Sequence, residues 1–243
     1  VYILKNNGNI WVYQTITQQP SFQIKDPGLG TSQIETVGET LYVLKENGNI
    51  WRSNMKAAEE NVNAKSDDFI QIHVGTETRQ ITSSGSILYI LKKNGNIWTY
   101  APALGQSFQE IYKDGDAEWI KADGGELYFI KRDGTPCRFQ QGFSVIEDAI
   151  AAKPKDPSVV SVGGKCFAIN NDKRAKKLDA LGGTVYILTN ESKILRYSAE
   201  TEDLRELTEA GADNKDIAAY YQDLFAIKTD GTVKRYNEGR LKR

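Results

Sequence analysis

The chain has 243 residues, with 31 basic and 32 acidic side chains and a formal net charge of -1. That balance provides no global field toward nucleic acid or an anionic membrane, so no nucleic-acid partner is expected. No apolar run approaches the roughly 18 residues of a membrane span, and two cysteines, Cys137 and Cys166, offer neither a disulfide framework nor metal-ligand spacing.

One string recurs along the chain. VYILKNNGNIWV opens it at residue 1, LYVLKENGNIWR follows at 41 and LYILKKNGNIWT at 88. Weaker copies start at 127 (LYFIKRDGTPCRF), 185 (VYILTNESKILRY) and 224 (LFAIKTDGTVKRY), with a poorer one, CFAINNDKRAKKL, at 166. Each reads as a hairpin. Asn47-Gly48, Asn94-Gly95, Asp133-Gly134 and Asp230-Gly231 share one offset between two β-prone runs, and turns of this class need the positive φ that Gly supplies. In LYVLK, Leu41, Val43 and Lys45 point one way and Tyr42 and Leu44 the other. Both faces are apolar up to the lysine, and a strand apolar on both faces is covered on both.

Before the copies lie strand-like runs rich in small residues: QIETVG (33–38), RQITSSG (79–85), EWIKADG (118–124), VVSVGG (159–164) and DIAAYY (216–221). After them come more polar runs, SFQIK (21–25), FIQIHV (69–74), FQEIY (108–112) and DLREL (203–207). Four strands in each unit of about 40 residues is the blade size of a β-propeller, in which every blade is sandwiched between copies of itself. The expected fold is all-β: one propeller domain over 1–243 with units starting near 1, 41, 88, 127, 166/185 and 224. The short step from 166 to 185 leaves six or seven blades, because RAKKLDALGG (174–183) would serve two units at once or belong to an insertion. Residues 54–68 read as a polar insertion. No charged-then-apolar leader is visible, and a valine at position 1 leaves processing open, so the compartment stays unassigned.

The segments ETLYVLKENGNIWR (39–52), SILYILKKNGNIWT (86–99) and GELYFIKRDGTPCR (125–138) resemble the tectonin repeat. That resemblance covers nearly the whole chain and implies a six-bladed lectin with glycan sites repeated around the ring. The chain departs from the repeat in placing Tyr where Trp usually stands on the second strand. A weaker resemblance, to chromosome-condensation-regulator repeats, rests on Leu-x-x-Asp-Gly-x-Val.

Catalytic chemistry is sparse. His73 is the single histidine, so no His triad or multi-His metal site is built within one chain. Cys137 and Cys166 read as small core residues. Among the acids, Asp123, Asp133 and Asp230 are candidates, but the last two are turn residues. No P-loop or dinucleotide fingerprint occurs. Neither an enzyme, a cofactor nor a metal is expected. Asn190-Glu191-Ser192 forms a glycosylation sequon in a hairpin turn.

The third strand is more informative. Its aromatic position holds Trp11, Trp51 and Trp98, then Cys137, Leu195 and Lys234. A lysine there places the position near the surface, since an unpaired buried charge is costly. Trp11, Trp51, Trp98, Tyr13, Tyr100 and Arg52 are therefore the ligand-binding candidates. Tyr2, Tyr42, Tyr89, Tyr128, Tyr186, Phe167 and Phe225, on the second strand, read as core. The expected function is a non-catalytic binding module for a glycan or glycoprotein; the alternative is a protein-interaction scaffold.

Overall fold

The computed structural model describes residues 2–12, 22–24, 30–38, 40–54, 69–73, 77–102, 105–144, 160–172, 174–220 and 223–237. Among these, every sheet is antiparallel and each blade is a meander. The first contains β1 (Tyr2–Leu4), β2 (Ile10–Val12) and β3 (Phe22–Ile24). The second contains β4 (Thr31–Val37), β5 (Thr40–Lys45), β6 (Ile50–Asn54) and β7 (Phe69–His73); the third, β8 (Thr78–Ser84), β9 (Ile87–Lys92), β10 (Ile97–Ala101) and β11 (Gln106–Tyr112). The fourth is built from β12 (Ala117–Asp123), β13 (Glu126–Lys131), β14 (Pro136–Ser144) and β15 (Val160–Ala168). In the fifth run β16 (Ala175–Leu181), β17 (Thr184–Thr189), β18 (Ile194–Ser198) and β19 (Asp203–Glu206), and in the sixth β20 (Asn214–Tyr220), β21 (Asp223–Lys228) and β22 (Val233–Asn237). The fold is a β-propeller with six blades, mostly four-stranded.

The alternation on β5 does what a doubly covered strand requires. Leu41 and Val43 join Ile10, Val12 and Phe69 in the core between the first two blades. Tyr42 and Leu44 face the other way, into a core with Ile81, Leu88 and Ile90 of the third blade. The pattern repeats as Tyr89 and Leu91 meet Ile120 and Phe129, Tyr128 and Ile130 meet Leu178 and Ile187, and Tyr186 and Leu188 meet Ile217 and Leu224. Truncating one such fully buried Leu or Ile costs about 2–5 kcal/mol, so the five junctions supply much of the cohesion. The turns also behave as read: Gly48, Gly95, Gly134 and Gly231 have φ of 83°, 91°, 87° and 86°. In the fifth blade Ser192 takes φ 63° in the same role.

Several expectations are corrected around residue 166. Segment 160–168 is not an inner strand and 166 does not begin a blade: β15 is the outer strand of the fourth blade, pairing Arg138 with Phe167 and Cys137 with Ala168. The inner strand of the fifth blade is β16, so the step from 127 to 185 is one enlarged blade, and the seventh unit disappears. Cys137 and Cys166 form a disulfide, with Cα atoms 5.2 Å apart and a sequence separation of 29. The long β14–β15 pairing brings them onto neighbouring strands, which two isolated cysteines in a sequence do not announce. Phe167, read as core, is 41% exposed on this outer strand. Of the insertion read at 54–68, Asn54 ends β6 and residues 55–68 lie outside the described residues.

Candidate functional site

The first strands of the blades, β4, β8, β12, β16 and β20, lie side by side in that order. Each is the free edge of its own sheet, and such an edge carries unpaired N–H and C=O groups. Side chains of the preceding blade satisfy several of them. Gln33 Oε1 accepts from the Ile81 N–H at 3.0 Å while its Nε2 donates to the Ile81 carbonyl at 2.6 Å. Gln80 repeats the clamp on Ile120, at 3.0 and 2.8 Å. Two residues further along, Thr82 Oγ1 accepts from the Ala122 N–H at 3.1 Å, and Asp179 Oδ2 from the Ala219 N–H at 2.8 Å.

The register aligns Gln33, Gln80, Trp119, Lys177 and Asp216 at one position of successive first strands. In the later blades the amide clamp gives way to charge. Lys177 Nζ donates to Asp216 Oδ1 and lies 5.8 Å from the Trp119 ring centroid. Beside this belt opens a cavity of about 480 Å³, lined by Glu35, Arg79, Trp119, Lys121, Lys177 and Asp179 among others. Lys121 pairs with Asp179 at 2.9 Å. Burial pushes the Glu35 carboxyl above its ordinary range; Lys121 and the Ser83 hydroxyl, which donates to it at 3.1 Å, pull the other way. A hydrogen bond from Arg79 at 2.5 Å holds Glu118 below the usual carboxylate range. The site therefore offers both signs of charge, amides and one large aromatic face. Such a set suits backbone amides and charged side chains of a docked chain.

The residues singled out in the sequence lie elsewhere, spread over three blades. Trp11 is half-buried on β2, with Lys5 Nζ 4.1 Å from its ring centroid. Trp51 packs against the core between the first and second blades, and Trp98 against that between the second and third. Arg52 sits half-buried opposite Tyr42 and Ile70 on β6. Tyr100 stacks on Phe108 with ring centroids 4.5 Å apart and meets Tyr42 edge-on at 6.3 Å. Tyr13 lies outside the described residues. Trp98 borders a crevice of about 320 Å³ shared with His73, Glu77, Lys92, Asn94, Phe108 and Glu110. The axial residues were missed because their strands read as small and structural. The available signal was that Gln33 and Gln80 stand at one register of those runs; Lys177 lay in RAKKLDALGG, read as shared by two units or as an insertion.

No family model matches the chain, and no curated protein matches it. Solved structures do match. Yeast RCC1 (Prp20), in a structure with Kap60 bound, superposes with a TM-score of 0.67 at 10% identity, covering 98% of this chain and 68% of that one. YCF48 bound to D1 peptide gives 0.63 at 14%, covering 97% and 73%. The β-propeller domain of Myceliophteria thermophila Cps50 (Swd1) gives 0.61 at 7%, covering 86% and 65%. At these identities the likeness is one of fold, shared with RCC1-type and Swd1 propellers, and the tectonin assignment gains nothing from it. The chain spans 61% of the human WBSCR16 chain, which it also matches.

Proposed function

We propose that this chain is a non-catalytic interaction module, one propeller unit over 1–243, that docks an extended segment of a protein partner at its axial cavity. The carrying observation is the convergence of Glu35, Arg79, Trp119, Lys121, Lys177 and Asp179, from four successive first strands, around one cavity of about 480 Å³. A rigid ring holds these groups in place, so little ordering entropy opposes docking. Two structures of similar fold hold protein or peptide partners by their own descriptions, Prp20 with Kap60 and YCF48 with D1 peptide, which supports the choice of partner class. The test is selection of displayed 12-residue peptides on the wild-type protein, followed by titration of the enriched peptides. Trp119→Ala and Lys121→Ala should each weaken binding at least about tenfold, the loss of one good contact, while Trp51→Ala leaves it unchanged. Peptides indifferent to both axial substitutions would remove the axial site.

A carbohydrate-binding reading is favoured by one feature, the half-buried Trp98 beside the polar groups of the smaller crevice. In that reading Trp11, Trp51 and Trp98, with Tyr13, Tyr100 and Arg52, form repeated shallow sites, and weak sites sum through avidity. A glycan array separates the two readings. Glycan signal lost on Trp51→Ala or Trp98→Ala supports sugar binding; a blank array together with axial peptide binding rejects it.

A further inference from the structure

Most copies of the repeat end this strand on a lysine, buried at Lys45, Lys92 and Lys228, and the partners of that lysine differ from blade to blade. In the second blade Lys45 Nζ donates to Thr31 Oγ1 at 2.8 Å. Lys131 pairs with Asp116 at 3.0 Å and Lys228 with Asp213 at 2.6 Å, both ion pairs. In the third blade Lys92 is 92% buried, and its Nζ meets His73 Nε2 and, at 3.3 Å, Thr78 Oγ1. No carboxylate among the described residues lies within ion-pair distance of it. Burial pushes both Lys92 and His73 below their ordinary ranges; Lys92 also lowers His73, while the charge of Glu77 opposes the shift on Lys92.

Lys92 also opens onto the crevice of about 320 Å³ between the second and third blades. Two of its walls are rings: Trp98, and Phe108 with its centroid 5.1 Å from that of His73. Glu77 and Glu110 contribute the acidic groups, Glu110 accepting from Asn96 Nδ2 at 2.7 Å. A buried lysine whose ammonium is disfavoured by burial, in contact with an imidazole at an aromatic-walled opening, is the arrangement in which a lysine acts as a nucleophile.

The geometry points to Lys92 as a carbonyl-capturing amine whose ligand is a neutral or cationic aromatic aldehyde. The free amine of Lys92 attacks the carbonyl carbon, a carbinolamine forms, and water leaves to give the imine, with Lys–NH₂ and R–CHO yielding Lys–N=CH–R and H₂O. His73 Nε2 is placed to take the proton from the attacking nitrogen and return it to the departing hydroxyl. Trp98 and Phe108 hold the ring of the aldehyde, and the two glutamates disfavour an anionic one. The crevice is separate from the axial cavity and its role does not depend on the peptide-docking reading.

The experiment uses the intact wild-type chain with benzaldehyde and sodium cyanoborohydride at neutral pH, the reagent trapping any imine as a secondary amine for peptide mapping by mass spectrometry. Lys92 should label at least about tenfold faster than Lys131, Lys228 and the exposed Lys176 and Lys215 in the same molecule. With 4-formylbenzoate the preference for Lys92 should shrink. His73→Gln should slow labelling of Lys92 several-fold and leave the other lysines unchanged, a result that a misfolded variant would not give. Labelling of Lys92 at or below the rate of the internal controls overturns the proposal.

Discussion

The second to fourth blades and the fourth to sixth solve the same problem with different chemistry. Between the earlier blades a neutral amide, Gln33 or Gln80, satisfies both the N–H and the C=O of the next strand edge. Between the later ones, Lys177 and Asp216 satisfy each other, and Asp216 Oδ1 also accepts from the Ile217 N–H at 2.8 Å. An amide clamp is insensitive to salt and pH, whereas an ion pair that is partly exposed is screened by solvent and ions. At this register the earlier junctions are thus held by amides and the last by charge, with Trp119 at the boundary; outside the register Arg79 and Glu118 pair between the third and fourth blades.

The largest expected effect lies at the seam, in the enlarged fourth blade. Replacing both cysteines by alanine releases a 29-residue separation, and a loop of that size is worth about 3.6 kcal/mol. Urea unfolding should show the loss, and reduction of the wild type should reproduce it. An unchanged midpoint would mean that the bridge adds nothing to the blade. Next comes the amide clamp. Gln80→Ala leaves the Ile120 N–H and C=O without their partner and should cost about 1–3 kcal/mol, equally at low and high salt. A smaller effect is expected from Asp216→Asn, under about 1 kcal/mol and fading as salt is raised, since these side chains are 28% and 43% exposed. A salt-dependent Gln80 or a salt-independent Asp216 would erase the distinction between these junctions.

The smallest effect concerns Glu35. Its carboxyl is pushed up mainly by burial, so the folded chain holds that proton more tightly than the unfolded one. Stability from this group is therefore full below the ordinary glutamate range and declines as pH rises through the folded value. Glu35→Gln should flatten that decline in unfolding curves measured across the acidic range. A steeper decline in the variant would contradict the assignment.

Much of the scaffold was readable from residue order alone, and the reason is geometric. A β-strand has a period of two, so the opposed apolar sets Leu41/Val43 and Tyr42/Leu44 declare that β5 is covered twice. The Asn-Gly and Asp-Gly turns fix where each hairpin folds. Composition misled at 160–168, where Gly163 and Gly164 imitate the small residues of a first strand. A Cβ at Gly164 would lie 2.1 Å from Phe139 Cζ, so this glycine admits a neighbouring ring on the outer pair. The disulfide depended on that same pairing register. The axial cavity was illegible for a different reason: Glu35, Arg79, Lys121 and Asp179 are set side by side by the stacking of separate sheets, which no local periodicity encodes. Trp11, Trp51 and Trp98 were conspicuous as recurrent aromatics, yet recurrence reports an equivalent place in each blade and leaves open what that place does.

Hydrogen–deuterium exchange on the wild-type chain, with and without a selected peptide, tests the central claim most directly. Docking at the axis should slow exchange in Thr31–Val37, Thr78–Ser84, Ala117–Asp123 and Ala175–Leu181 and leave the outer strands Phe69–His73 and Asp203–Glu206 unchanged. Protection confined to those outer strands, with the first strands unaffected, would contradict it.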